Sequence, residues 1–104
     1  MKCDNIYIRL IKKALSSKCK HRVSAIGLDY RGRIIDCTCN RHRFPRLGGG
    51  MHAERLLILR NPKSLKTIMI CRVGRQGNLL PIQPCASCLT LARKRGVKII
   101  SVYH

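Results

Sequence analysis

The chain has 104 residues, enough for one domain with one core, and residues 1–104 are expected to form a single unit. Twenty-two Lys and Arg face four Asp and Glu, for a formal net charge of +18, which predicts a polyanionic partner, most simply nucleic acid. No apolar run approaches the ~20 residues of a membrane span, no signal-peptide apolar region opens the chain, and seven cysteines without a secretion signal fit reduced thiols in a cytoplasmic setting.

Asn5 to Lys18 sets Ile6, Leu10, Ile11, Ala14 and Leu15 at helical spacing, with Arg9, Lys12 and Lys13 opposite. This basic start could mimic a mitochondrial presequence, but Asp4 and its fit as the first helix of the domain argue against that. A basic loop through Arg22 follows. Val23 to Leu28 and Arg33 to Cys39 read as strands joined by the turn Asp29-Tyr30-Arg31-Gly32, an antiparallel hairpin. Cys37 and Cys39 share one face of their strand as small hydrophobes. A second zinc on Cys19, His21, Cys37 and Cys39 has no regular spacing to recommend it.

Asn40 to Gly50 reads as a loop, with three glycines feeding a mostly buried helix from Met51 to Leu59 that Asn61-Pro62 ends. Thr67 to Val73 is nearly all apolar and predicts an interior strand. Gly74 to Gln83 is a loop broken by Gly74, Gly77 and Pro81. Pro84 is expected to open a helix through Arg95, which Gly96 stops, and Val97 to Tyr103 is a last strand. The order α-β-β-α-β-α-β predicts a three-layer α/β/α fold. Its mixed sheet has four strands, and the last two crossovers are β-α-β units.

Two short stretches carry chemistry: Met51-His52-Ala53-Glu54 and Pro84-Cys85-Ala86-Ser87-Cys88. Cys85 and Cys88 are three positions apart and share one helix face. With His52 they make three zinc ligands and leave a fourth position for water, the arrangement of a catalytic rather than a structural site. Both stretches start helices after a strand and a loop, so they fall at the carboxyl ends of neighbouring strands. A helix start also favours thiolates. One zinc per chain so held can lower the pKa of its water to about 7. Glu54, the only Glu in the chain, is placed to shuttle protons.

His52-x-Glu54 followed by Pro84-Cys85-x-x-Cys88 resembles the zinc nucleobase deaminases of the cytidine deaminase-like superfamily, and the element order is also theirs. The resemblance covers nearly the whole chain. It implies His52, Cys85 and Cys88 as zinc ligands, Glu54 as proton shuttle, and hydrolytic attack at C4 of cytosine or C6 of adenine. It implies that Asn40, after the second strand, contacts the substrate sugar, where the plain alternative is a strand-ending turn residue. It also implies that Ala53 meets the base through its backbone.

Free-cytidine deaminases carry a Glu two residues beyond that Asn, whereas this chain has His42 between Arg41 and Arg43. Cations suit phosphate. Arg41, Arg43 and Phe44 are therefore expected to meet substrate, Phe44 by stacking on a base or else by anchoring its own loop. Cations elsewhere in the chain favour a polymer over a nucleotide. The expected function is deamination of cytosine, or secondarily adenine, in single-stranded DNA or RNA. The alternatives are a free cytidine or (deoxy)cytidylate deaminase and a non-catalytic zinc-containing nucleic-acid-binding module. The loop Gly74 to Gln83 is longer than in tRNA adenosine deaminases and looks more like that of cytidine deaminases. The last strand lies close to His104, where many relatives continue; an exposed sheet edge is expected there, and with it homo-oligomerisation.

Overall fold

The computed structural model describes residues 2–17, 22–44, 49–74 and 76–102, with side chains described except at 2–5, 7, 41–44 and 49–51. Helix α1 (Lys2–Leu15) lays Leu10 and Ala14, both fully buried, on the sheet. It ends earlier than the expected Lys18. The Ser16 N–H donates to the carbonyls of Lys12 and Lys13, and the Ser16 hydroxyl donates to Lys13 at 2.6 Å, satisfying acceptors the helix would otherwise leave open.

Strands β1 (Arg22–Leu28) and β2 (Ile34–Cys39) form the expected antiparallel hairpin. Its turn is built by Asp29, whose carboxylate accepts from the N–H groups of Arg31 and Arg33, while Gly32 takes the left-handed φ of 78°. The backbone N–H of Arg33 is the leading cause holding the Asp29 carboxyl below its usual range.

The segment after β2, expected as a loop, is a two-stranded ribbon of β3 (Arg41–Phe44) and β4 (Gly49–Met51). Arg41 faces Met51 and His42 faces Gly50, with a register shift before Phe44. Helix α2 (Ala53–Arg60) follows, and the C-cap Asn61 closes it. The Asn61 side chain donates to the Leu57 carbonyl at 3.1 Å and to Asp36 at 2.8 Å.

Strand β5 (Thr67–Val73) pairs antiparallel with β1 along all seven residues. Since β2 and β5 both oppose β1, they run parallel to each other, and α2 lies in the crossover between them. The short β6 (Leu79–Leu80) turns back onto Arg72 and Val73. Helix α3 (Ala86–Arg95) then leads to β7 (Lys98–Ser101), which pairs parallel with β5 from Thr67 to Ile70. The main sheet thus has five strands where four were expected. The added one is only two residues long and too brief to show a period, so the breakers Gly74 and Gly77 conceal it.

Alternation along the strands sorts the core into two layers. Ile26, Cys71 and Val73 meet Leu10 and Ala14 of α1. Ala25, Ile68 and Ile70 face the other way, toward Leu57 and Ile58 of α2 and Ala92 of α3. This is the three-layer α/β/α architecture. At Gly27 the second layer comes close: a Cβ there would sit 2.7 Å from a Leu65 methyl. Among the described residues no helix is long and apolar enough to cross a membrane.

One polar bond ties β2 to the start of α2. The buried Thr38 hydroxyl donates to the Ala53 carbonyl at 2.8 Å. Thr38→Val keeps the shape and removes the donor. It is expected to lower unfolding stability by about 1–2 kcal/mol, read as a lower urea midpoint at constant slope.

Candidate active site

Two helix starts converge here. His52 leaves β4 in an extended conformation, φ −71° and ψ 143°, and α2 begins on the next residue. Cys85 is likewise extended, φ −70° and ψ 159°, and its sulfur accepts the Cys88 N–H at 3.4 Å. The thiol therefore performs the capping that Ser or Asp usually performs. This is why α3 starts at Ala86 rather than at Pro84, which falls before the cap. At the other end Gly96 stops the helix with φ 69°.

The three expected ligands meet. His52 Nδ1 lies 3.2 Å from Cys85 Sγ and 3.3 Å from Cys88 Sγ, and the three donor atoms all fall within 4.8 Å of one another. Among the described residues this is the one group of three or more His, Cys, Asp or Glu arranged to hold a metal ion. Its donor set suits zinc: one imidazole nitrogen and two sulfurs. At bond lengths of about 2.0–2.3 Å, zinc holds a nitrogen and a sulfur ligand roughly 3.5 Å apart, close to the 3.2 and 3.3 Å between His52 Nδ1 and the two sulfurs. Burial grades across the group, from exposed His52 through half-buried Cys85 to buried Cys88.

The two sulfurs differ electrically. Burial pushes the Cys85 thiol up. Hydrogen bonds from the Ser87 hydroxyl, the Cys88 backbone and side chain, and the His52 ring outweigh it and bring Cys85 down to about 7. Burial, the hydrogen bond to Cys85 and the charge of Glu54 push Cys88 up to about 12. One sulfur is thus prepared as a thiolate, and the other must surrender its proton when a metal arrives.

Glu54 occupies the first turn of α2, is 4% exposed, and is near enough to Cys88 for its charge to be felt there. Ala53 is fully buried beside it. Asn40 directly follows β2, and its side-chain oxygen accepts from the Ser17 hydroxyl at 2.6 Å and from the Val23 N–H at 3.1 Å. It thereby locks the end of α1 to the start of β1. Arg41, Arg43 and Phe44 lie on β3, directly after Asn40, with their side chains outside the described part. Asn40→Ala removes two anchored bonds and is expected to cost about 1–3 kcal/mol of unfolding stability. Contact with substrate would add a rise in KM beyond that loss, visible in steady-state kinetics at a temperature where the variant stays folded.

Sequence reasoning missed Ser87 and Thr38. The Ser87 hydroxyl sits 3.2 Å from Cys85 Sγ. Its place between the two cysteines was the available signal. Thr38 gave none, since its role depends on a contact with Ala53 fifteen residues away.

No family model matches the sequence, and no curated protein sequence matches it significantly. Solved structures do match in fold. Cytidine deaminase from Mycobacterium leprae superposes with a TM-score of 0.67 at 18% identity, covering 97% of this chain and 88% of that one. Cytidine deaminase from Mycobacterium tuberculosis gives 0.64 at 18% identity over 99% and 85%, and a point mutant of it gives 0.63 at 20% over 95% and 84%. The chain has the cytidine deaminase-like fold.

Proposed function

We propose that the protein is a zinc-dependent hydrolytic deaminase acting on cytosine in single-stranded nucleic acid. The reading is carried by the meeting of His52 Nδ1, Cys85 Sγ and Cys88 Sγ, with Glu54 in the adjoining helical turn, on a cytidine deaminase-like fold. In the overall change, water's oxygen replaces the exocyclic amine and ammonia leaves. Zinc held by these three side chains would supply Lewis-acid activation of water at neutral pH. Glu54 takes one proton from water and passes it to the ring nitrogen, then takes the proton of the new hydroxyl and delivers it to the departing amine. Its burial in a helix turn keeps the carboxylate in one position through these transfers.

Cytosine is favoured over adenine because the fold neighbours are cytidine deaminases. A polymer is favoured by the net charge of +18 and by Arg41 and Arg43, which flank His42 at the position where a free-cytidine enzyme carries a carboxylate. Single strands fit because flipping a base out of a duplex costs a few kcal/mol. The same neighbours support a second reading, a deaminase of free cytidine or (deoxy)cytidylate. A non-catalytic zinc module has no need of Glu54.

A labelled single-stranded oligonucleotide, its RNA counterpart and the free nucleoside and nucleotides separate these readings, with C-to-U and A-to-I conversion followed and Glu54→Ala as control. Conversion in the oligonucleotide that vanishes with Glu54→Ala is the expected result. Turnover of the free compounds alone would transfer the conclusion to the second reading. Turnover of nothing, with salt-sensitive oligonucleotide binding, would leave a binding module.

A further inference from the structure

We propose that the pole of the sheet opposite the metal centre is a second nucleic-acid-binding surface, which holds a single strand by its phosphates and stacks a base on Tyr30. Helices α2 and α3 both begin at the candidate site and end at this pole. Their 8 and 10 residues separate it from the ligands by about 12–15 Å, at 1.5 Å per residue. Three loops are stitched together there. The Lys66 N–H donates to the Leu28 carbonyl at 2.9 Å, and the Lys98 N–H donates to the Lys66 carbonyl at 3.0 Å.

Each loop brings cations, all of them exposed. The β1–β2 turn carries Arg31 and Arg33. The end of α2 and the segment after it carry Arg60, Lys63 and Lys66. The end of α3 carries Arg93, Lys94 and Arg95, and β7 opens with Lys98. Against these nine stand Asp29, bound to Arg33 at 3.2 Å, and Asp36, bound to Arg60 at 2.8 Å. Complementing a helix dipole accounts for cations in the last turns of α2 and α3. It does not account for Arg31, Lys63, Lys66 and Lys98, which lie outside helices and have no carboxylate partner among the described residues.

The aromatic is what favours a single strand over a generic polyanion. Tyr30 is 73% exposed at the tip of a turn that the Asp29 hydrogen bonds hold rigid. The Arg31 guanidinium lies over the ring, 5.4 Å from its centroid, and donates to the Tyr30 hydroxyl at 3.0 Å. A fixed, exposed ring set among exposed cations is how sequence-tolerant single-strand binders are built.

The test uses the full chain and a fluorescent oligo-dT 20-mer, which offers no exocyclic amine, so binding is read apart from turnover. The combined variant Lys63→Gln, Lys66→Gln, Lys94→Gln, Lys98→Gln should bind at least tenfold more weakly by anisotropy. Its slope of log K against log salt should be shallower by about 2–3, since each lost phosphate contact removes roughly 0.7. Tyr30→Ala should weaken binding about fivefold or more and leave the salt slope nearly unchanged. Zinc content and circular dichroism should match those of the unmodified protein. Unchanged oligo-dT binding by the combined variant overturns the proposal. So does a neutral Tyr30→Ala together with equally tight binding of a duplex, which would make the pole a backbone-only surface. If the combined variant binds normally and C-to-U turnover persists, the pole fails while the substrate reading stands. If no turnover is ever found but the pole variants lose binding, the reverse holds.

Discussion

Glu54→Gln is expected to lower kcat for deamination by about 10²–10⁴-fold, the usual size of a general acid–base contribution, with one zinc still bound per chain. The amide has the shape of the carboxylate but cannot carry a proton from water to the leaving amine. Because Glu54 is 4% exposed, the isosteric exchange tests the chemistry without opening a cavity. Metal analysis beside kinetics is decisive. Loss of zinc along with activity would make Glu54 a support for the ligands. Retained activity would move the proton transfers to another group.

Zinc uptake should release protons in a pattern set by the unlike sulfurs. With Cys85 at about 7 and Cys88 at about 12, both thiols hold protons below pH 7. Between about 7 and 12 only Cys88 does. Counting the two thiols alone, binding at pH 7 displaces about 1.5 protons. The two thiols should therefore contribute about two to the rise in the logarithm of apparent zinc affinity per pH unit below 7 and about one above it, so affinity falls as the solution is acidified. Calorimetry in buffers of different ionisation enthalpy reads this directly. Cys88→Ser should abolish the release that persists at pH 9. Losing one of three ligands removes roughly a third of a binding free energy on the order of 10–16 kcal/mol, or about two to four decades of affinity. A Cys88→Ser protein that binds zinc as before would remove that residue from the site.

Most of the site was legible because its ligands are adjacent to signals that act locally. Proline and glycine punctuate both stretches, and Cys85 and Cys88 sit at helical spacing, so the pairing follows from sequence neighbours. Bringing His52 to them needed only the expected order of strands and helices. The ribbon β3–β4 was not legible. Arg41-His42-Arg43-Phe44 has no apolar alternation, and Gly49-Gly50 reads as a break, so neither strand carries a period in sequence and only their pairing with each other reveals them. From sequence alone Asn40 reads as a substrate contact or a turn residue. Its bonds to Ser17 and Val23 depend on where α1 ends, and periodicity placed that end three residues too late.

The far edge of β5 is divided between two strands: β7 takes Thr67 to Ile70 and β6 takes Arg72 and Val73. The turn from Gly74 to Asn78 closes on itself, with the Gly74 N–H donating to the Asn78 carbonyl at 2.8 Å. It is a small hairpin complete in its own right, and added residues there should be absorbed with little strain, as surface-loop insertions generally are. The stretch from Pro81 to Pro84 is different, because it is the tether that delivers Cys85 from the sheet edge to His52. Shortening it by even one residue draws a ligand away, since an extended residue spans about 3.3–3.6 Å. Two neighbouring segments of a single predicted loop thus differ sharply in engineering tolerance: the first can accept a peptide tag or a fused module, and the second cannot lose a residue.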